Sequence, residues 1–304
     1  MPLLAVRRAW AASCAIAALF QLAATTRLLE PGPTAIGGLA GRGGTSAADL
    51  VRLLRQRLPT ELVHQVLTVG SFRYTVASCA ESRSVTLWSP GGPRLTLQAH
   101  TDTVLGMSFF PEMAHILTWS KDGSAIIWDT ESGRLILRLV HSGDVLNSAR
   151  VFPRGDRVVT CGDDRNCVVW NAETGLATTI LRTCSAPKVE VFPFGDRLLT
   201  WGSSHLTGLP TVWDLASSKR LCAFRGHAVG MRIGTAAIFP AGDRVITGSF
   251  DDAAYIWSAA TCAVLHELLH EVPLPHHVTA VVVLSEGDIV GTTTSDRRTF
   301  LWSA

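Results

Sequence analysis

Six apolar runs in this 304-residue chain end on a tryptophan: Trp88, Trp128, Trp170, Trp213, Trp257 and Trp302. The gaps between them are 40, 42, 43, 44 and 45 residues. A second landmark keeps phase. Ser78, Thr118, Thr160, Thr247 and Thr292 each stand ten residues before their tryptophan, and only Thr200 is displaced, by three, ahead of Trp213. A third is a Phe-Pro step at Phe110-Pro111, Phe152-Pro153, Phe192-Pro193 and Phe239-Pro240. Three of these run on into Gly155-Asp156-Arg157, Gly195-Asp196-Arg197 and Gly242-Asp243-Arg244. Markers in phase over this length define a repeat, and a repeat restricts the architecture before any single element is assigned.

The unit from His100 to Asp129 shows what is repeated. An alternating apolar stretch turns at Pro111 to Ala114, a second run turns at Lys121-Asp122-Gly123, and a third closes on Ile126-Ile127-Trp128-Asp129. Turn residues stand where antiparallel hairpins need them. Four short strands in each unit of 40 to 45 residues imply an all-β chain, a β-propeller of four-stranded antiparallel blades. Six blades are recognisable and seven remain open. The first unit is short, and the unit ending at Trp213 carries an insertion, Ser204 to Gly208, between its second and third strands.

Over roughly residues 60 to 304 the chain resembles the WD-repeat β-propeller family. Trp128-Asp129 and Trp213-Asp214 keep the dipeptide that names it, whereas Ser89, Asn171, Ser258 and Ser303 replace the aspartate elsewhere. The resemblance implies a buried relay in each blade. The indole N–H is a lone donor that needs an acceptor, a hydroxyl accepts it and donates onward to an imidazole, and the imidazole ends on a carboxylate. The matching sets are His100, Thr118, Asp122 and Trp128; His141, Thr160, Asp164 and Trp170; and His227, Thr247, Asp251 and Trp257. In the last unit Thr292, Asp296 and Trp302 match, but an insertion with Pro273 and Pro275 separates His270 from them. The units ending at Trp88 and Trp213 lack the Asp and should be the looser blades.

A hydroxyl, a histidine and an aspartate suggest a hydrolase, but this trio recurs blade after blade, whereas a catalytic site is normally single. No enzymatic activity, cofactor or metal is expected. His266, His270, His276 and His277 cluster in sequence without a nearby Cys or a defined third ligand for zinc. The resemblance places partner binding on the face around the channel, at the position before each turn Asp. Here that position holds Lys121, Asp163, Phe250 and Ser295, with Glu81 in the first unit; Asp102, Asp144 and Met231 join them. Phe250 is either a binding anchor or a ring folded against its own blade. Trp119 and Trp201, on second strands, should pack between blades. The expected role is a protein-interaction scaffold, a monomeric propeller within a larger complex, taking a protein or peptide.

Formal net charge is +2, but residues 1–58 hold seven Arg against Glu30 and Asp49, leaving −3 for the remainder. The propeller therefore has no basic stripe, and nucleic acid is not expected. Seven Cys without a CxxC pair read as reduced, buried thiols, and a cytoplasmic location follows from that reading.

Residues 1–30 are apolar behind Arg7 and Arg8. A secretory signal, a transit peptide, a membrane anchor and a plain helix all fit. Residues 31–58 read as a Gly/Pro linker and a short basic helix from Ser46 to Leu58, with the propeller domain following from residue 59. The linker lacks the Gly-Lys-Ser/Thr ending of a phosphate loop. Residues 58–66 are similar to the start of an F-box, so a substrate receptor of a ubiquitin ligase is an alternative role, and a membrane-tethered propeller is another. The chain stops just after a third strand. A strand within residues 58–68 is expected to complete that last blade, since an open sheet edge is a liability.

Overall fold

The computed structural model describes the strands Gln65–Val69 and Thr75–Cys79 and residues 83–304, apart from 90–91, 142–144, 184–186, 203–207, 229, 271–276, 285–287 and 297. The expectations for the N-terminal segment, linker, basic helix and most of the F-box-like stretch lie outside these residues. So do those for Glu81, Asp144 and His276.

The described chain forms six antiparallel sheets, each from consecutive strands. The first holds β1 (Gln65–Val69), β2 (Thr75–Cys79), β3 (Ser84–Ser89) and β4 (Gly92–Gln98), and the second β5 (Val104–Phe109), β6 (His115–Ser120), β7 (Ser124–Asp129) and β8 (Leu135–Val140). The third holds β9 (Leu146–Val151), β10 (Arg157–Gly162), β11 (Asn166–Asn171) and β12 (Ala177–Arg182). The fourth holds β13 (Pro187–Val191), β14 (Arg197–Gly202), β15 (Thr211–Asp214) and β16 (Lys219–Ala223), and the fifth β17 (Ile233–Ile238), β18 (Arg244–Ser249), β19 (Ala253–Ser258) and β20 (Val264–Leu269). The sixth has three strands among the described residues, β21 (Val278–Leu284), β22 (Ile289–Thr294) and β23 (Thr299–Ser303). This is a β-propeller whose blades are the units read from the tryptophans.

The core lies between sheets. Leu87 and Leu97 of the first sheet close on Met107, Ile116 and Trp128 of the second. The same layering joins each later sheet to the next, ending with Ile246 and Ile256 of the fifth against Val281 and Val290 of the sixth. Both faces of a middle strand are covered, so β6 and β10 run almost wholly buried, and the polar Thr118, Ser120 and Thr160 that share this burial need hydrogen-bond partners there. Fully burying each such Leu, Ile or Val contributes about 1.5–3 kcal/mol. Trp119 and Trp201 join these layers as expected, Trp119 against Leu146 and Ala149 of the next sheet, Trp201 against Ile233 and Ala236. A Cβ on Gly106, opposite Trp119 in the ladder, would stand 2.2 Å from the indole, so only glycine admits that ring.

The Phe-Pro-x-Gly-Asp-Arg segment has a definite job. Its Phe is buried at the end of a first strand, its amide bonds the carbonyl of the Arg (3.0 Å for Phe152 to Arg157), and its Gly adopts φ near +70°. The Arg then stacks on that same Phe, Cζ 4.2 Å from the Phe152 ring centre and 4.3 Å from that of Phe192. From there Arg157 Nη2 donates to the Gly195 carbonyl of the next sheet at 2.8 Å, and Arg197 Nη2 to that of Gly242 at 3.1 Å. The motif is a latch between neighbouring blades.

Two expectations are corrected. Residues 65–68 do not complete the last sheet; as part of β1 they pair with β2 from Gln65↔Cys79 to Val69↔Thr75, so their ladder is spent in the first blade. Among the described residues β23 is therefore an edge of the sixth sheet, and Leu301 is 63% exposed where its counterparts Ile127 and Val169 are 2% and 1%. The cysteines are not all reduced. Cys161 and Cys167 face each other across β10 and β11, Cα atoms 4.1 Å apart, and are bonded. Cys222 of the fourth blade is bonded to Cys262 of the fifth. Partners 40 residues apart meet because one repeat brings the chain back to the neighbouring blade. The redox argument for a cytoplasmic location thereby loses its premise.

Candidate functional site

Each relay histidine stands in the loop that follows one sheet and reaches into the next. His100 comes after β4 and bonds Thr118 of β6 (Nε2 to Oγ1, 2.8 Å) and Asp122 (Nδ1 to Oδ2, 2.9 Å). Trp128 Nε1 donates to the same Thr118 hydroxyl at 2.9 Å. In the fifth sheet His227 bonds Thr247 at 2.7 Å and Asp251 at 2.9 Å, with Trp257 Nε1 donating to Thr247 at 2.8 Å. The third sheet has the same partners with the ring turned over: Nδ1 of His141 meets Thr160 at 2.9 Å and Nε2 meets Asp164 at 3.1 Å, while Trp170 donates to Thr160 at 2.8 Å.

The carboxylates do more than hold a histidine. Burial works against the Asp122 charge, but the Ser124 hydroxyl, the Thr101 amide and His100 outweigh it and hold the group down at about 2. Asp251 is lowered in the same way, burial being overcome by His227 and the Ala228 and Ala253 amides. One aspartate thus ties the loop before the sheet, the turn after its second strand and the imidazole. Burial keeps His100 below its usual value, against the pull of Asp122, so a neutral ring completes the chain.

His270 is brought into the last blade despite the insertion. Its Nε2 lies 2.7 Å from Thr292 Oγ1, to which Trp302 Nε1 donates at 2.8 Å. Its Nδ1 faces the Asp252 carbonyl at 3.0 Å, while Asp296 takes bonds from the Thr294 hydroxyl and the Arg298 amide. The displaced Thr200 still accepts from Trp213 at 2.8 Å, because the longer loop lies between the two strands and leaves their ladder intact. Of the histidine cluster, His270 is thus in the relay and His277 Nδ1 meets the Phe250 carbonyl at 3.1 Å.

The candidate binding residues share one backbone position. The amides of Lys121, Asp163, Phe250 and Ser295 donate to Thr103, Val145, Arg232 and His277 carbonyls at 3.0, 3.0, 3.0 and 2.8 Å. The side chains on this repeated frame differ. Lys121 is exposed, and so is Asp163, which accepts from Asn147 Nδ2 at 2.7 Å. The half-buried Phe250 ring lies 4.3 Å from that of His277 in the next blade, with Arg232 Cζ 5.6 Å away. Ser295 is half-buried and accepts from the His277 amide at 3.2 Å. Asp102 and Met231 are exposed beside them.

The arginine latch is not legible as a contact in the sequence, where its motif marks only the phase of the repeat. Nor are the roles of Ser120 and Ser249, buried hydroxyls that donate to loop carbonyls at Thr103 (2.9 Å) and Arg232 (3.0 Å). Their signal was a serine two residues before the turn aspartate.

Residues 91–129, 133–171 and 218–258 match the model of the WD domain, G-beta repeat. The chain is also similar to the Nuclear distribution protein nudF 2 of Aspergillus clavatus, 39% identical over 59 residues, a match covering 19% of this chain and 14% of that protein. A match to about a seventh of the relative's length speaks for shared repeats alone. Three segments of this chain thus carry the WD repeat, and the sheets that they and their neighbours build form a β-propeller.

Proposed function

We propose that the propeller is a non-enzymatic scaffold that holds a protein or peptide on the face carrying the turns between second and third strands. One observation carries the reading: four different side chains, Lys121, Asp163, Phe250 and Ser295, stand on one backbone position fixed by an equivalent hydrogen bond in each blade. A rigid repeated frame with varied side chains at its rim suits recognition. The trios that resemble a hydrolase are instead buried around tryptophans and absorbed in the relay. Phe250, with His277 and Arg232, offers an aromatic and cationic platform on the face that also carries the acidic Asp102 and Asp163.

The test is proximity labelling with the wild-type chain and with a Phe250→Ala, Asp102→Ala, Asp163→Ala triple variant of equal melting temperature. Proteins labelled by the wild type should drop out with the variant. Identical labelling by both would remove this face as the binding surface.

A further inference from the structure

We propose that the opposite face carries a second docking site: a cavity that takes one apolar side chain of an extended partner peptide, next to a Lys or Arg that meets Glu190. The cavity has a volume of about 240 Å³ and lies where the first strands of the second, third and fourth sheets end. Phe109, Met113, Val151, Pro153 and Val191 form its apolar lining, and Arg150 and Glu190 its polar wall. First strands end in the turns that carry the Phe-Pro steps, at the far end of each blade from Lys121 and Asp163. The site is therefore separate from the face argued above and stands or falls independently of it. Its volume is below the roughly 300–1,000 Å³ of small-molecule clefts and suits a single side chain better than a nucleotide or cofactor.

Met113 gives the first reason to read the cavity as a site. Its turn matches those of Gly155, Gly195 and Gly242, which adopt φ of 73°, 70° and 69°. Met113 holds φ 63° with a full side chain, in the left-handed region that is strained for a non-glycine residue. Burial offsets that strain only in part, since Met113 is 41% exposed. The chain thus holds a pliable thioether at the rim of a cavity where three sister blades use glycine. Such a side chain adapts to an apolar guest.

The charges give the second reason. Arg150 uses its nitrogens within the chain: Nε and Nη2 bond Glu190 Oε1 at 2.9 and 2.6 Å, and Nη1 bonds the Ala149 carbonyl at 2.9 Å. None of the hydrogen bonds among the described residues runs to Glu190 Oε2. Glu112, beside Met113, adds a second carboxylate, its Oε1 3.0 Å from His115 Nδ1. Apolar walls with carboxylate oxygens at the edge match an apolar side chain followed by a cation.

The probe is a displayed library of random 12-residue peptides selected on the full chain, with enriched clones synthesised and their affinities measured by fluorescence anisotropy. Enrichment of Leu, Ile or Met directly before Lys or Arg is expected. These peptides should weaken at least fivefold on Met113→Gly and on Glu190→Gln, and bind unchanged to the Phe250/Asp102/Asp163 triple variant. Met113→Gly should hold or raise the melting temperature, so its loss of binding is not a loss of fold. Absence of enrichment, enrichment of apolar–acidic pairs, or unchanged binding by Met113→Gly would overturn the proposal. A selection that yields only clones lost with the triple variant and none lost with Met113→Gly would likewise overturn it.

Discussion

Arg157 holds the Gly195 carbonyl of the neighbouring blade at 2.8 Å while its guanidinium lies flat enough over Phe152 for Cζ to sit 4.2 Å from the ring centre. One side chain thus ties a strand start, a buried ring and the next blade's turn. Arg157→Ala should cost about 1–2 kcal/mol in urea unfolding, the combined scale of a charge-assisted hydrogen bond and a cation–π contact. Arg157→Lys should recover less than half, since an ammonium lacks the planar fork. Full recovery by lysine would mean that charge alone matters there.

Thr118 is the hinge of the relay, taking the Trp128 indole proton and meeting His100 at once. Thr118→Val keeps the shape but strands two buried partners, and should cost about 1–3 kcal/mol. Thr118→Ser should retain most of the stability. Equal values for Val and Ser, by tryptophan fluorescence in urea, would show the relay to be energetically silent.

Acid should destabilise the chain in two stages. His100 and His270 lie below the 6.5 of a free imidazole, burial being the main cause in both. Their folded forms stay neutral while the unfolded chain takes up protons, so stability falls as pH drops below about 6.5. Asp122, at about 2 against an ordinary 3.8, keeps its charge in the fold, and its contribution is lost as pH falls from about 4 toward 2. Unfolding midpoints measured from pH 8 to pH 3 should be level above pH 7 and then decline. A rise between pH 7 and pH 5 would contradict this.

Non-reducing peptide mapping should recover two cross-linked pairs, Cys161 with Cys167 and Cys222 with Cys262. The second joins blades across 40 residues, and Cys222→Ser should cost about 2–4 kcal/mol under oxidising conditions and little under reducing ones. An equal effect in both would show that the pair is not bonded in solution.

Much of the blade was readable because its signals are local and recur. A tryptophan, a hydroxyl ten residues earlier and an aspartate in the turn identify a hairpin wherever they occur, and the relay at His100, His141 and His227 follows from them. The features that escaped depend on where the chain returns in space. His270 reaches Thr292 across an insertion that breaks the sequence spacing but not the spatial one. The cysteines carry no motif, and Cys222 meets Cys262 only through the stacking of two blades. The sequence allows two readings of Phe250, because its packing on His277 depends on a residue of the following blade.

The position of the relay histidines bears on how such a chain can grow or shrink. Because His100 is anchored not to the strand it follows but to the pair it precedes, a cut at a sheet boundary severs an imidazole from its threonine. A cut just ahead of an outer strand does not, and the matched segment 91–129 starts at such a point, one strand out of step with the sheet. Gene duplication that copied from there would hand each new copy its own finished polar chain, and would stitch successive copies together by the backbone ladder between a third strand and the next outer strand, as β7 pairs with β8.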